Sequence, residues 1–260
     1  MSWMTDIFRT EKPVIGMIHL RALPGSSGYD GDMNRILSEA LESAENLDKG
    51  GVDAIMVENF FDAPFDMKME TAQITALAAA TALVKARVGV PVGVDAAFCD
   101  HEAAFSCALA AGADFVRLAV YVDTVVGPTG VMNPCAAAAL RYRKAIGAEH
   151  VKILADVQVK YTHMLSPSVS LEESAGVAAA SGADGIIVTG KHTGGETPLE
   201  SLQRVKKAVS LPVVIGSGFK IENANEQLAV ADGAIVGTSL NTDGKADKEK
   251  IGQLMDVLGR

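Results

Sequence analysis

The sequence predicts an α/β protein folded as a single (β/α)8 TIM barrel. The chain has 260 residues, the usual length of one such barrel. Short apolar stretches of strand length alternate along it with stretches of helical periodicity. We therefore treat residues 1–260 as one domain, with residues 1–12 as an N-terminal extension and residues 246–260 as a closing helix.

Eight strands are predicted, each followed by a helix. The strands are Val14–His19, Ala54–Glu58, Val92–Ala96, Phe115–Ala119, Val151–Asp156, Gly185–Thr189, Val213–Gly216 and Ala234–Gly237. The helices are Asn34–Lys49, Glu70–Ala86, Glu102–Ala111, Pro134–Ile146, Leu171–Ala180, Pro198–Val209, Glu222–Val230 and Lys248–Leu258. Asn133 and Thr197 are expected to cap the two helices that begin with proline. A doubly wound open sheet is the alternative, but the first strand lacks the glycine-rich turn of that fold.

A weak internal repeat marks the points where a helix ends and a strand begins. Its four copies are Gly51–Ile55, Gly112–Val116, Gly182–Ile186 and Ala231–Ile235. The small residue relieves left-handed strain at the helix end, and the apolar run suits a strand covered on both faces. We expect the aspartates of the repeat to be structural caps at the end of the barrel opposite the active site. They are Asp53, Asp114, Asp184 and Asp232.

Composition excludes some classes of function. The formal net charge of −9 disfavours non-specific nucleic-acid binding, which requires a basic surface. The three cysteines show no metal-ligand spacing and indicate reduced thiols in a cytoplasmic protein. The sequence shows no signal peptide and no apolar run long enough for a transmembrane segment. We expect a homo-oligomer, since barrels of this kind commonly self-associate.

The last two predicted strands each end in small residues. These are Gly216, Ser217 and Gly218 after one strand, and Gly237, Thr238 and Ser239 after the next. Glycine allows backbone N–H groups to approach an anion closely, and a barrel commonly binds phosphate beyond its seventh and eighth strands. The pair therefore predicts a site for a small phosphorylated metabolite, and two tight turns without a ligand are the alternative.

Polar residues near the carboxyl ends of the other strands predict an active site at the same rim. The candidate catalytic residues are His19, Glu58, Asp95 and Asp156, and the candidate substrate-binding residues are Asn59, Arg117, Lys160, Thr189 and Lys191. Glu58 and Asp156 are also candidate ligands of a divalent metal, although no cofactor is required by the pattern. The alternative is that the carboxylates only pair with Arg117 or Lys160.

Two further features leave alternatives open. A Schiff-base lysine requires a pocket that lowers its pKa, so for Lys160 and Lys191 we favour an electrostatic contact with an anionic substrate. The segment Thr193–Pro198 is either a loop that closes over substrate or a surface turn.

Several motifs together resemble those of the BtpA/SgcQ family over residues from about Pro13 to the end. They are Gly16–Gly25, Gly50–Ile55 with Glu58 and Asn59, Leu140–Arg143, Ala155–Lys160, Ile187–Gly190 and Val236–Thr238. The resemblance implies a TIM barrel similar to phosphate-binding barrels. One branch of that family is associated with photosystem I accumulation, and another accompanies genes of sugar-phosphate metabolism.

The sequence departs from the pattern of that family at three places. They are Asp95–Asp100 at the end of the third strand, Ala119 shortly after Arg117, and the segment Asp123–Pro134. A changed substrate is one consequence that such departures predict. The first hypothesis is an enzyme, an isomerase, epimerase or lyase, that moves protons on a phosphorylated sugar-like or nucleoside-related molecule. The alternative is a non-catalytic factor that stabilises a protein complex.

Overall fold

Eight parallel strands close into a barrel in the computed structural model, which describes residues 3–260. The barrel strands are β1 (Val14–His19), β2 (Ala54–Glu58), β3 (Val92–Asp95), β4 (Phe115–Leu118), β5 (Lys152–Val157), β6 (Gly185–Val188), β7 (Val213–Ile215) and β8 (Gly233–Val236). The helices after them are α1 (Met33–Lys49), α2 (Thr71–Arg87), α3 (His101–Ala111), α4 (Ala136–Ala145), α5 (Leu171–Ala180), α6 (Leu199–Ala208), α7 (Ala224–Val230) and α8 (Lys248–Val257). The predicted fold class is confirmed.

The strands follow one another around the barrel in chain order, and β1 closes the ring against β8. Val14, Ile15 and Gly16 of β1 lie opposite Ala234, Ile235 and Val236 of β8. The last two strands pair directly, with Val214 opposite Gly233. The prediction that the two glycine-rich segments follow adjacent strands is therefore confirmed.

A short helix seals the amino end of the barrel. This helix, Trp3–Phe8, belongs to the predicted N-terminal extension, whose residues Met1 and Ser2 lie outside the described part of the chain. Met4 and Phe8 are buried with the interior side chains of the barrel, and the Phe8 ring meets the Phe115 ring edge-on at 5.4 Å. The sequence did not predict this helix, because six residues are too few to show a helical period.

The four aspartates of the repeat stand at the amino end, as predicted. Each accepts a hydrogen bond from the first or second amide of the preceding barrel strand, at 2.8–2.9 Å. Each also pairs with a cation; the partners are Arg260 for Asp53, Lys85 for Asp114, Lys152 for Asp184 and Lys206 for Asp232. The repeat is therefore a structural device that fixes where strands begin.

The helix starts of α4 and α6 differ from the prediction. Helix α4 begins after Cys135, and Pro198 itself precedes the first residue of α6. The hydroxyl of Thr197 donates to the carbonyls of Val188 and Ser217 instead of capping α6. The buried hydroxyl finds its acceptors at these two strand ends, since a buried donor without an acceptor is costly.

The segment Asp123–Pro134 carries an addition to the barrel. Strands Val125–Gly127 and Gly130–Met132 form a hairpin, and His163–Met164 pairs with its first strand. Val125 and Met132 pack there against Ala119 and Val120. Ala119 is thus a packing residue beneath this small sheet.

Candidate active site

Alternation along the strands brings the candidate residues into the barrel. Successive strand residues face opposite sides, so every second residue points inward. Ile15, Met17 and His19 follow this period on β1, and the first two pack in the apolar interior. At the top of the barrel, His19 lies opposite Glu58, Glu58 opposite Asp95, and Asp95 opposite Arg117. Four neighbouring strands thus contribute one in-register row of polar residues.

A cavity of about 250 Å³ opens above this row. Its wall includes His19, Glu58, Arg117 and Lys160 from the polar residues predicted for the site. The same cavity is lined by the predicted phosphate-binding residues, which are Gly216, Ser217, Gly218, Gly237, Thr238 and Ser239. The two groups predicted separately from sequence therefore face one space.

Arg117 is held by two aspartates. Its Nε and Nη2 donate to the two carboxylate oxygens of Asp156 at 2.7 and 2.8 Å, and Nη1 donates to Asp95 at 3.3 Å. All three side chains are almost completely buried. A bidentate pair fixes the plane of a guanidinium group, so Arg117 presents its remaining edge to the cavity in one orientation.

Burial controls the protonation of the carboxylates. Burial raises the pKa of Asp95 to about 8, against the opposing effect of Arg117 and with a further contribution from the charges of Glu58 and Asp156. Burial likewise raises the pKa of Glu58, although Arg117 and Lys160 favour its charged form. A carboxyl group with a raised pKa is able to hold a proton near neutral pH and to give it up in a reaction.

His19 is a neutral ring at the centre of the site. Burial lowers its pKa to about 4, and the charges of Lys160 and Arg117 act in the same direction. Its ring stacks on Phe60 with 4.1 Å between centroids. Nδ1 lies 3.2 Å from Nδ2 of Asn241, and Nε2 lies 3.6 Å from Oε2 of Glu58. If the amide nitrogen donates, the ring proton sits on Nε2 and faces Glu58.

Four backbone amides beyond the ends of β7 and β8 are free to bind a ligand. Within residues 3–260, the N–H groups of Gly218, Phe219, Thr238 and Ser239 have no hydrogen-bond acceptor. Gly218 has φ of +68°, a conformation that favours glycine, and an added Cβ there would lie 2.3 Å from Cα of Glu196. A concave group of unpaired amides is a general anion-binding arrangement.

The loop Thr193–Pro198 is held against these strand ends. The hydroxyl of Ser217 donates to the carbonyl of Gly195 at 2.9 Å and accepts from the amide of Gly190 at 2.7 Å. Thr193 and Gly194 line the cavity. The Ser217 hydroxyl therefore holds the loop in place through these two hydrogen bonds, which also shape this part of the cavity wall.

Five other predicted residues do not line the cavity. Asp95 and Asp156 contact Arg117, as described above. Asn59 bonds to Asp62 and to both backbone groups of Ala97, and Thr189 accepts from the amide of Lys160. Lys191 is exposed on the loop after β6. Sequence position at a strand end is thus insufficient to tell a residue that lines the site from one that supports it.

Four polar or aromatic residues at the site were not predicted from the sequence. Phe60, Phe219 and Lys220 line the cavity, and Asn241 contacts His19. Phe60 directly follows the predicted Asn59, and Phe219 and Lys220 follow the predicted Gly218, which is the only local signal for them. Asn241 lies more than two hundred positions from His19, so only the closed barrel brings the two together.

The candidate divalent metal site does not match the side chains present. Both carboxylate oxygens of Asp156 already accept from Arg117. Among residues 3–260, no three His, Cys, Asp or Glu side chains form a group able to hold a metal ion. In the same part of the chain, no helix has the length and apolar character needed to cross a membrane.

Comparison with known proteins places the chain in a family. The BtpA family model matches residues 10–260. An uncharacterised protein of Archaeoglobus fulgidus is 36% identical, with 94% of this chain and 98% of that protein covered. The photosystem I biogenesis protein BtpA of Synechocystis is 35% identical, with 93% and 84% covered.

Solved structures show the same barrel at low sequence identity. One is (S)-3-O-geranylgeranylglyceryl phosphate synthase from Thermoplasma acidophilum, in complex with its substrate sn-glycerol-1-phosphate. It has a TM-score of 0.63 and 15% identity, with 99% of this chain and 98% of that one covered. At that identity the likeness is one of fold. The match to the family model and the identity to the two relatives show that the chain belongs to the BtpA family.

Proposed function

We propose that this protein is an enzyme that binds a small phosphorylated, sugar-like or nucleoside-related molecule and moves protons on its carbon skeleton. The observation that carries the proposal is the composition of one cavity. The residues that line it supply unpaired backbone amides together with a neutral imidazole, a buried carboxyl group and two cations. Isomerases, epimerases and lyases need this combination of an anion anchor and a proton donor and acceptor.

The phosphate would bind at Gly218, Phe219, Thr238 and Ser239, whose amides all have a free N–H. The exposed Lys220 borders the same space and adds a positive charge. Binding of a similar class of ligand is known for the synthase from Thermoplasma acidophilum, whose substrate is sn-glycerol-1-phosphate. An anchored phosphate would leave the carbon skeleton facing His19 and Glu58, since both line the same 250 Å³ cavity.

Proton transfer would fall to Glu58 and His19. Glu58 has a raised pKa, and its carboxylate lies 3.6 Å from Nε2 of His19. One of the two groups would remove a proton from the substrate and the other would return one. Arg117, oriented by Asp156, would stabilise negative charge that develops on a substrate oxygen, because preorganised charge costs no reorganisation during the reaction. In this proposal Asp95 and Asp156 act through Arg117.

Ligand-induced stabilisation tests the phosphate site. We expect sn-glycerol-1-phosphate, but not glycerol, to raise the melting temperature, by an amount equivalent to about 2.7 kcal/mol at a hundredfold excess over Kd. Gly218→Ala should lose this shift, because its Cβ would collide with the backbone of Glu196. Gly176→Ala is the matched control, since a Cβ there meets open space on α5. Equal shifts in wild type and Gly218→Ala would refute the site.

Solvent exchange tests the chemistry. In deuterated water, the enzyme should introduce deuterium at a carbon of a phosphorylated carbonyl compound, followed by NMR. Glu58→Gln should slow the exchange by about 10²–10⁴-fold while the phosphate-dependent thermal shift is kept. If sugar phosphates gave thermal shifts but none underwent deuterium exchange, the binding site would stand and the proposed class of enzyme would be ruled out.

A role in assembly of a protein complex is the second candidate. The observation that favours it is the 35% identity to a protein of Synechocystis named for photosystem I biogenesis. A factor of this kind would keep its function in the double variant His19→Ala, Glu58→Ala. The same variant would abolish the function of an enzyme. Self-association and cytoplasmic location remain predictions in either case.

A further inference from the structure

Lys160 stands apart from the other cation of the site. Arg117 is paired with Asp95 and Asp156. Lys160 lines the same cavity, yet within residues 3–260 its Nζ has no hydrogen-bond or ion-pair partner. Lys160 is half-buried, and its unpaired amine faces the cavity, where it is available to a ligand.

The backbone around Lys160 is fixed by several contacts. Gln158 and Tyr161, on either side of it, both have positive φ, at 46° and 65°. The amide of Gln158 donates to buried Asp123 at 2.7 Å, and the amide of Lys160 donates to Thr189 at 3.0 Å. Left-handed conformations at two non-glycine residues persist only where surroundings impose them, and they concentrate at functional sites. The fold thus directs one lysine into the cavity.

We propose that Lys160 forms an imine with a substrate of the aldehyde or ketone class whose phosphate lies on the amides of Gly218, Phe219, Thr238 and Ser239. This inference rests on the proposed function and names its substrate class. The geometry that supports it is a free amine and an anion site on the walls of one small cavity. The sequence alone favoured an electrostatic role for Lys160, because it could not show that the amine lacks a counter-ion.

The environment of Lys160 suits a nucleophile. Burial lowers the pKa of its ammonium group, and the nearby charge of Arg117 lowers it further, against the opposing effect of Glu58, Asp156 and Asp95. The neutral form required for attack on a carbonyl is therefore more populated than in an exposed lysine. The proton needed later in the reaction is available from Glu58, whose pKa burial raises.

Imine formation requires only Lys160, Glu58 and the carbonyl substrate. The lone pair of Nζ attacks the carbonyl carbon, one N–H proton moves to the carbonyl oxygen, and a carbinolamine forms. The C–O bond then breaks as Glu58 donates its proton to the leaving hydroxyl, which departs as water. The products are a protonated imine on Lys160 and the carboxylate of Glu58. The positive imine acidifies the neighbouring C–H, and the Glu58 carboxylate or His19 is then placed to remove that proton.

Reductive trapping tests the imine. The full chain is incubated with dihydroxyacetone phosphate or glyceraldehyde 3-phosphate and sodium cyanoborohydride, and adducts are located by intact mass and peptide mapping. We expect an adduct at Lys160 that inorganic phosphate suppresses and that unphosphorylated dihydroxyacetone forms only at background level. Lys160→Arg should reduce the adduct to that background, while Lys207→Arg on the outer face of α6 should leave it unchanged.

A second measurement separates this inference from the proposed function. Lys160→Arg keeps a positive charge, so it should still be stabilised by sn-glycerol-1-phosphate, which has no carbonyl group. Stabilisation of the wild type without an adduct would overturn the imine and leave the phosphate site standing. An adduct at Lys220 instead of Lys160 would overturn it as well. Neither stabilisation nor an adduct in the wild type would overturn both.

Discussion

The two ends of the barrel use aspartate in opposite ways. At the amino end, Asp53, Asp114, Asp184 and Asp232 each accept a strand amide and pair with a cation. At the carboxyl end, Asp95 and Asp156 accept from a single arginine that faces a cavity. Backbone amides differ in the same way. At the amino end the aspartates accept from the first amides of the strands, whereas four amides at the carboxyl end have no hydrogen-bond acceptor.

This difference shows that the role of a polar residue depends more on the end of the strand at which it lies than on its type. At one end polar residues stabilise the fold, and at the other they surround the cavity. Parallel strands give every barrel one end where loops lead into helices and one where helices lead into strands. In this protein the second end is also closed by the helix Trp3–Phe8. Substitutions at the amino end should therefore change the free energy of unfolding alone, and those at the carboxyl end should also change ligand binding.

The largest effect is expected from Arg117→Met. Asp156 is completely buried, and removal of its partner leaves an uncompensated carboxylate. Breaking a buried ion pair in this way costs about 3–5 kcal/mol of the free energy of unfolding, measured by urea denaturation at neutral pH. The double variant Arg117→Met, Asp156→Asn should recover part of that loss. A decrease below about 1 kcal/mol in the single variant would show that Asp156 does not depend on Arg117.

Asp95→Asn should remove a pH dependence of stability. The pKa of Asp95 is about 8 in the folded protein, against an ordinary value of 3.8. Between these values the folded state binds more protons than the unfolded state, so the stability of the wild type falls as the pH rises from about 4 to about 8. Because asparagine does not titrate, the free energy of unfolding of the variant should rise relative to that of the wild type as the pH increases over this range.

The comparison of Asp95→Asn with wild type is made by urea denaturation from about pH 5 to about pH 9. The gap should grow by about 1.4 kcal/mol for each pH unit, reach on the order of 4 kcal/mol near pH 8 and stay constant above it. Parallel curves for the two proteins would show that Asp95 is ionised throughout, paired with Arg117 as an ordinary carboxylate.

A smaller effect is expected at the amino end from Asp232→Ala. The variant loses the acceptor for the amide of Val213 and the partner of Lys206, both at a partly exposed position. We expect a loss of about 1 kcal/mol in the free energy of unfolding. The thermal shift given by sn-glycerol-1-phosphate should match that of the wild type. A reduced shift would contradict the separation of the two ends.

The fold, and the cavity at the carboxyl ends of the strands that we propose as the site, were predictable from sequence because both depend on local periodicity. The repeat around Asp53 and the apolar runs fixed the strands to within one or two residues, and inward alternation then placed His19, Glu58 and Arg117 together. The predicted adjacency of Gly216–Gly218 and Gly237–Ser239 also followed from the order of strands in a barrel.

The partners of each side chain were not predictable in the same way. Asp156 and Asn59 stand at the carboxyl end of a strand as Glu58 does, but Asp156 holds Arg117, whereas Asn59 bonds to Asp62 and Ala97. Which residues face the cavity depends on the stagger between strands and on loop conformation, such as the left-handed Tyr161. Long-range contacts such as that of Asn241 with His19 leave no local pattern in the chain.

A change in stability no larger than that of Asp232→Ala, but with a clear change in function, is expected from Gly237→Ala. An added Cβ would lie 2.7 Å from Cε1 and 2.9 Å from Nε2 of His19, so the ring must turn. The ring is a side chain that is able to move, and the cost should stay near 1 kcal/mol. Displacement of His19 should nevertheless abolish solvent deuterium exchange and weaken the thermal shift with sn-glycerol-1-phosphate.

Gly252→Ala provides the matched control for Gly237→Ala. It lies within α8, where a Cβ meets open space, and it should raise the free energy of unfolding by about 0.5–1 kcal/mol because alanine favours a helix. Its exchange activity and thermal shift should equal those of the wild type. If Gly237→Ala behaved like this control, the contact between the last strand and His19 would have no part in the site. The carboxyl end of β8 would then resemble the amino end in serving stability alone.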